Sequence, residues 1–402
     1  MNDQAAPSAP AAIKAVLLTN MLAPYRVSFY RALARRVALT VVVDELAEAN
    51  REWSVATDAL GFPLLDQRNR AIRRSYRRAD MGFTEGKPLH LSLRTPFTLR
   101  ALRPDVVISL ELGLRSFWAV LHGALHGVPV ILMHEGTPHT QGSVSAAQRA
   151  WRRALIRRGA RYWSNGREST ALLAAYGADR DAIDAGMTGI DTAELRRRVA
   201  ELWPSRERLR GEMGLRGPTF LYTASLSGRK GLQPYLRALG RLAERFGSGS
   251  FSALIVGSGE QAAELASWRQ AHPDVRCVAP GFVQPADLVP FYVAADWGVL
   301  PTLEDNWPLA TLEMLVAGLP QLFSRYNGAA AELCDEGHTG LLFDPLSERD
   351  FDRALQTALE AARRRLDPGL IDRFAGYYGP EAQADRALAS VEAAVGRQRR
   401  SD

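Results

Sequence analysis

Three short segments combine charged residues, glycines and a helix start in spacings that can hold a phosphorylated ligand. The richest runs Leu300-Pro301-Thr302-Leu303-Glu304-Asp305-Asn306-Trp307-Pro308-Leu309, with Glu313 and Ala317-Gly318-Leu319-Pro320 beyond it. An apolar run ends at Pro301, a polar loop follows, and a helix is expected to open near Pro308. A helix N-terminus offers unpaired N–H groups and the positive end of its dipole, which suits phosphate. Asp305 falls on the loop and Glu313 on the second helical turn. Two carboxylates at one crevice can hold sugar hydroxyls. The plainer reading is an acidic helix cap and a solvated glutamate.

The second segment is Ser225-Leu226-Ser227-Gly228-Arg229-Lys230-Gly231. A basic pair beside glycines at a helix start can bind a diphosphate, the lysine as a point charge and the arginine as a fork. An exposed turn with two cations is the plainer alternative. The third, Gly257-Ser258-Gly259-Glu260-Gln261-Ala262, fits G-x-G-x-x-A after a strand. A dinucleotide site would place an acid at the end of the next strand. Asp274 precedes that strand instead, which argues against NAD. His134 lies just past the apolar run 130–133, on the cleft side of its sheet; a structural histidine is the other reading. The loop holding Pro24, Tyr25 and Arg26 lies on the same edge, after the first strand.

The elements that must position these groups are apolar runs alternating with helical patterns. Strands are expected at 16–19, 39–43, 106–110, 128–133 and 162–164. Beyond a charged stretch near 195–217 a second series follows: 220–223, 253–256, 275–278, 297–300, 321–323 and 340–343. Near-continuous apolar strands point to parallel sheets covered on both faces. The alternation, met twice, predicts two doubly wound α/β domains. Thr95-Pro96 reads as a helix start with a threonine cap. The expected division is a disordered tail at 1–12, a first domain at 13–205, a second at 206–378, and a last helix within 379–402 that returns to the first domain.

The 402 residues, 47% hydrophobic and 23% charged, describe a globular chain of two or three domains rather than a disordered one. Cys277 and Cys334 cannot build a disulfide framework or a cysteine zinc site, so a reducing compartment is expected. No apolar run approaches the ~18 residues of a membrane span. The first twelve residues lack the basic and apolar regions of a signal peptide. The net charge of +6 comes from a chain that writes arginine almost everywhere and keeps lysine only at Lys14, Lys87 and Lys230. The last of these stands in the diphosphate-like loop.

Together these segments resemble glycosyltransferase family 4. The second segment is similar to that family's glycine-basic loop, and Asp305 to Glu313 looks like its E-x7-E block. Gly281-Phe282-Val283, Asn327-Gly328 and Thr188-Gly189-Ile190-Asp191 fit further landmarks. The resemblance implies a GT-B fold and retaining transfer from a nucleotide-diphosphate sugar. It gives Lys230 the diphosphate, with Arg229 as a second cation there, and sets Asp305 and His134 beside the donor sugar. It gives Glu313 the ribose, and Phe282 and Val283 the base. Gly257, Thr302, Glu304, Asn306, Trp307, Pro308 and Leu309 complete the donor side. Pro24, Tyr25, Arg26 and Glu111 belong to the acceptor side. Two positions depart from the pattern. Either Asp305, eight residues before Glu313, or Glu304 fills the first acidic role, and Ser225 replaces an arginine.

The implied reaction moves a sugar to a hydroxyl of a glycan or lipid-linked acceptor, in cell-surface polysaccharide or glycolipid assembly. No cofactor or metal is expected beyond the donor, since Asp179-x-Asp181 and Asp350-x-Asp352 read as helix-start acids. The competing readings are a catalytically silent GT-B binding or scaffold subunit and a nucleotide-sugar epimerase. Two basic stretches, 68–78 and 149–161, suit an anionic membrane surface. They place the protein in the cytoplasm, on the inner face of the membrane. They lack the aromatic platforms of a nucleic-acid site, so no nucleic-acid partner is expected.

Overall fold

The computed structural model describes residues 12–46, 55, 57–142, 144–361 and 365–398. Most of the tail expected at 1–12 lies outside these. The first domain runs β1 (Lys14–Thr19), α1 (Pro24–Ala34), β2 (Ala38–Val43), β3 (Leu64–Asp66), β4 (Ala71–Arg78), β5 (Phe83–His90), α2 (Thr95–Leu102), β6 (Val106–Leu110), α3 (Leu114–His126), β7 (Val130–Met133), α4 (Ala146–Ile156), β8 (Arg161–Trp163), α5 (Arg167–Ala175) and β9 (Ile183–Asp184). Seven strands form one sheet in the order β3-β2-β1-β6-β7-β8-β9, and each described pairing is parallel. Alternate residues feed opposite faces, as strand geometry requires. Leu17, Val41, Ile108 and Ile131 pack toward α1. Val16, Val42, Val107 and Leu132 pack toward the helices on the other side.

After α6 (Thr192–Leu202) and α7 (Arg206–Glu212) the second domain runs β10 (Thr219–Thr223), α8 (Leu232–Phe246), β11 (Ser252–Val256), α9 (Ala262–Ala271), β12 (Arg276–Gly281), α10 (Val289–Ala294), β13 (Trp297–Leu300), α11 (Leu309–Val316), β14 (Gln321–Ser324), α12 (Ala330–Leu333), β15 (Gly340–Phe343) and α13 (Glu348–Glu360). Its six strands are parallel in the order β12-β11-β10-β13-β14-β15. Arg206 and Arg210 both bind the buried Asp296, at 2.8 and 3.0 Å, which pins α7 to the start of β13. Then α14 (Pro368–Tyr378) leads into α15 (Pro380–Gln398). The last helix returns to the first domain. Ala384, Ala387 and Val391 enter the core beside Leu17 and Phe29, and Trp163 Nε1 donates to Ser390 Oγ at 2.9 Å.

One expectation needs correction. Thr95 is not a helix cap: no side chain caps α2, and the Thr95 hydroxyl bonds Gln67 Oε1 at 3.0 Å. The basic stretch at 68–78 is largely β4, half of an antiparallel hairpin with β5. That hairpin forms its own two-stranded sheet and lies against the turn at Gly228–Lys230 of the second domain.

Candidate functional site

The carboxyl ends of the two sheets meet at one cleft, and most of the candidate residues lie there. Past β10 the chain makes a 3-10 turn, Gly228–Lys230, before α8. Gly231 follows with φ +72°, and a Cβ there would run into the Pro301 carbonyl. The bare glycine lets the turn close onto the end of β13. Gly257, with φ +148°, lies equally tight beneath the Ala224 carbonyl. Leu226 N donates to Ser258 O at 2.7 Å, so the G-x-G turn supports the basic loop.

This packing brings Lys230 to Asp305, and the two form an ion pair. Arg229 Nη1 lies 3.5 Å from the same carboxylate. Trp307 N donates to Asp305 Oδ1 at 3.2 Å, so the aspartate also folds its own loop. Burial pushes the Asp305 carboxyl up, but Lys230 and Arg229 outweigh it and hold the group below the ordinary carboxylate range. Glu313 sits on α11, half-buried, with Tyr292 Oη donating to it at 2.7 Å. Burial pushes its carboxyl up, and the tyrosine opposes only in part. Pro308 precedes α11 and no side chain caps that helix.

Glu304 points elsewhere. It is 2% exposed and is held by Arg78 and by Tyr76 Oη at 3.0 Å, both from the β4–β5 hairpin. Of the two neighbouring acids, Asp305 therefore reaches the lysine and Glu304 reaches the first domain. Thr302 is buried, with its hydroxyl 3.2 Å from the carbonyls of Arg229 and Glu304, so it braces the loop. Asn306 and Trp307 each keep a buried polar atom without a hydrogen-bond partner among the described residues, Oδ1 and Nε1. Leu309 begins α11, and Phe282 and Val283 follow the end of β12, both half-buried.

Across the cleft, His134 follows β7 and is buried. Its Nε2 finds no partner among the described residues. Desolvation, reinforced by Arg152, pulls its pKa down to about 3, so the ring is neutral near pH 7. Pro24 opens α1, and Tyr25 beside it is half-buried. Arg26 is buried and paired with Glu135. Thr188 Oγ1 links Glu135 (3.1 Å) to Asn165 (2.6 Å), so this edge is one connected polar patch. Glu111 follows β6 at φ +68°, its carboxylate 3.0 Å from Arg115.

Sequence reasoning did not single out Tyr76, Glu85 or His139. Glu85 on β5 pairs with Arg229. His139 Nε2 lies 2.9 Å from the Leu303 carbonyl, so it donates across the cleft. The segment Ala71-Ile72-Arg73-Arg74-Ser75-Tyr76 carries no regular alternation of apolar and polar residues, so the sequence offered no clear strand signal there. Asp179 and Asp350 lie at helix starts: Asp179 accepts from Asp181 N, and Asp350 N donates to the Ser347 cap. Among the described residues no three His, Cys, Asp or Glu side chains form a metal-ligating group. No described helix is long and apolar enough to cross a membrane.

Known proteins share this fold. Residues 217–361 match the family described as Glycosyl transferases group 1. A D-inositol 3-phosphate glycosyltransferase of Paenarthrobacter aurescens (strain TC1) is 28% identical over 236 residues, which are 57% of this chain and 56% of that protein. The chain thus spans about half the length of such relatives. The Anabaena Alr3699/HepE structure in complex with UDP and glucose superposes with a TM-score of 0.63 at 14% identity, covering 97% of this chain and 100% of that one. The apo lipopolysaccharide outer core galactosyltransferase WaaB gives 0.66 at 12% identity, covering 94% and 99%. Two parallel-sheet Rossmann-like domains across a cleft, closed by a returning C-terminal helix, make this an α/β protein of GT-B fold.

Proposed function

We propose that the chain is a retaining glycosyltransferase of family 4. It moves a sugar from a nucleotide-diphosphate sugar to a hydroxyl of a glycan or lipid-linked acceptor. The observation that carries this reading is the convergence of Lys230, Arg229, Asp305 and the uncapped start of α11 in one crevice, with half-buried Glu313 on the same helix. As the sugar leaves, charge grows on the diphosphate. Fixed cations and helix N–H groups stabilise that charge, and one such donor is worth roughly 3–4 kcal/mol. The diphosphate must compete with Asp305 for Lys230. Once released, the aspartate is free to accept from a sugar hydroxyl. Neutral His134, with Nε2 unspent, fits a second hydroxyl. Retention is what the family resemblance implies, and no protein nucleophile is assigned. Because HepE was crystallised with UDP, UDP-sugars are the first donors to test.

The acceptor side includes a membrane in this reading, and a place in the cytoplasm on its inner face. Helices α3 and α4 contain no acidic residue; α3 exposes Leu125, and α4 exposes Trp151, Arg149 and Arg153. Such a face suits anionic lipid headgroups. From the other stretch Arg78 is withdrawn, since it is buried on Glu304, while Arg70, Arg74 and Arg77 stay exposed.

A screen of nucleoside diphosphates by thermal unfolding tests the donor site. At a hundredfold excess over Kd, a ligand stabilises the fold by about 2.7 kcal/mol. Stabilisation by none of UDP, GDP, ADP or dTDP would overturn the proposal. The rival reading, a binding subunit without catalysis, draws on Ser225 and on the ion pair that already occupies Lys230. It predicts nucleotide binding with neither sugar transfer nor donor hydrolysis.

A further inference from the structure

A cavity of 650 Å³ opens between the domains on the β14–β15 side of the cleft. That volume lies within the ~300–1,000 Å³ typical of small-molecule sites. The first domain supplies Thr137, His139 and Glu168 to its lining, and the second domain supplies the rest. The rings of His139 and Tyr326 stack across the domain boundary, 4.9 Å between centroids and 29° between planes. An aromatic pair of this kind offers a flat apolar surface to the C–H face of a pyranose.

The polar groups around it set the ligand's charge. Glu168, Glu336, Asp344 and Asp350 line the cavity with a single guanidinium, Arg325. Arg325 is itself committed to Asp344 at 3.4 Å, which also accepts from Tyr326 Oη at 3.3 Å. Among the described residues Glu168 and Glu336 have no ion pair. In a chain of net charge +6, this acidic lining disfavours a phosphorylated or carboxylated ligand. A neutral polyol, or one bearing an amine, fits it.

The cavity adjoins the proposed reaction centre. Its wall at 326–328 hydrogen-bonds the Asp305 backbone from both sides, Asp305 N to Tyr326 O at 3.3 Å and Gly328 N to Asp305 O at 3.0 Å. Gly328 packs on the Asn306 carbonyl and on Thr137, which also lines the cavity. Asn306 Oδ1, buried and without a hydrogen-bond partner among the described residues, lies on that same loop.

We propose that this cavity is a saccharide subsite for an uncharged or amino-bearing sugar of the acceptor. The assignment rests on the glycosyl-transfer reading above. Calorimetry and saturation-transfer NMR on the full chain with UDP test it, using methyl α-glucopyranoside, glucosamine and glucose 6-phosphate as probes. The first two should bind, and glucose 6-phosphate should bind about tenfold more weakly. Tyr326→Ala should weaken methyl glucoside about fivefold while UDP affinity holds, and Tyr326→Phe should keep both. Glu168→Lys, on the surface of α5, should narrow the gap between glucosamine and glucose 6-phosphate. The inference falls if methyl glucoside and glucosamine do not bind, if Tyr326→Ala leaves their binding unchanged, or if glucose 6-phosphate binds as tightly. UDP binding is read in the same titrations. A chain that takes UDP but no sugar loses this subsite alone, and one that takes no nucleotide loses the donor reading.

Discussion

Arg78 of the first domain and Glu304 of the second form a buried ion pair across the cleft, 5% and 2% exposed. Arg78 also grips Asp80 at 2.9 Å and donates to the His139 carbonyl at 3.2 Å, while Tyr76 holds the other oxygen of Glu304. The hairpin thus fixes the acid immediately before Asp305. Removing one partner of such a pair strands a buried charge, which costs about 3–5 kcal/mol. Arg78→Ala should therefore lower the unfolding midpoint strongly. The double variant Arg78→Met with Glu304→Gln should recover most of the loss, because neither charge then remains. Chemical denaturation of the three proteins measures this, and equal losses in single and double variants would contradict it.

Lys230 should matter to turnover more than to folding, because Arg229, 3.5 Å from Asp305, still offsets that carboxylate when the lysine is removed. Lys230→Ala is expected to lower kcat/KM by about 10²–10³, the loss typical of one charge-stabilising donor. Asp305→Asn acts in the opposite sense on binding. It weakens the carboxylate's hold on Lys230, so UDP should bind more tightly while turnover falls. Steady-state kinetics and UDP titration on both variants separate these effects. An Asp305→Asn variant with weaker UDP binding would show that the pair is preformed for the ligand rather than competing with it.

Glu313 carries a pH signature. Burial raises its carboxyl above the ordinary range. A group raised on folding favours the native state at low pH, and that contribution is lost as pH climbs through the folded pKa. Ionised Glu313 thus weighs against the fold at neutral pH, and a ligand hydroxyl would relieve it. Glu313→Gln should raise Tm by about 2–4 °C at pH 7.5, roughly 1 kcal/mol for a domain of this size. The gain should vanish near pH 4, where both proteins are uncharged at this site. UDP should bind the variant less well. A Tm gain that persists unchanged at pH 4 would exclude ionisation as its cause.

The parallel sheets were legible because their strands are buried on both faces and read as unbroken apolar runs. Trp297 to Leu300 and Gly340 to Phe343 fall where that pattern puts them. The basic loop and the Asp305 loop were legible for a related reason, since both follow such strands. The hairpin was not. Its strand Ala71–Arg78 holds only Ile72 and Tyr76 as large apolar side chains, and Ile72 remains exposed. What stabilises it is Glu304, 226 residues further along. A partner that distant leaves no local trace, so Arg78 looked like another surface cation. The choice between Glu304 and Asp305 was hidden for the same reason: it depends on which domain each carboxylate faces.

The arginines left on the surface can be separated from Arg78 by a membrane assay. Helix α4 exposes Arg149 and Arg153, with Arg157 just beyond its end and the 41% exposed Trp151 between them, and α3 exposes Leu125. Each such cation near an anionic bilayer contributes about 1 kcal/mol. Arg153→Ser with Arg157→Ser should therefore reduce binding to phosphatidylserine-containing vesicles by roughly thirtyfold, leaving UDP affinity unchanged. Binding of the parent chain should fall as salt rises, because a Debye length of about 8 Å at 0.15 M screens these charges. Phosphatidylcholine vesicles should bind neither protein measurably. Sedimentation with both vesicle types decides the matter. Equal binding to neutral vesicles would assign the face to apolar insertion through Trp151 and Leu125, and absence of binding to either would leave the arginines as a solvated helix surface.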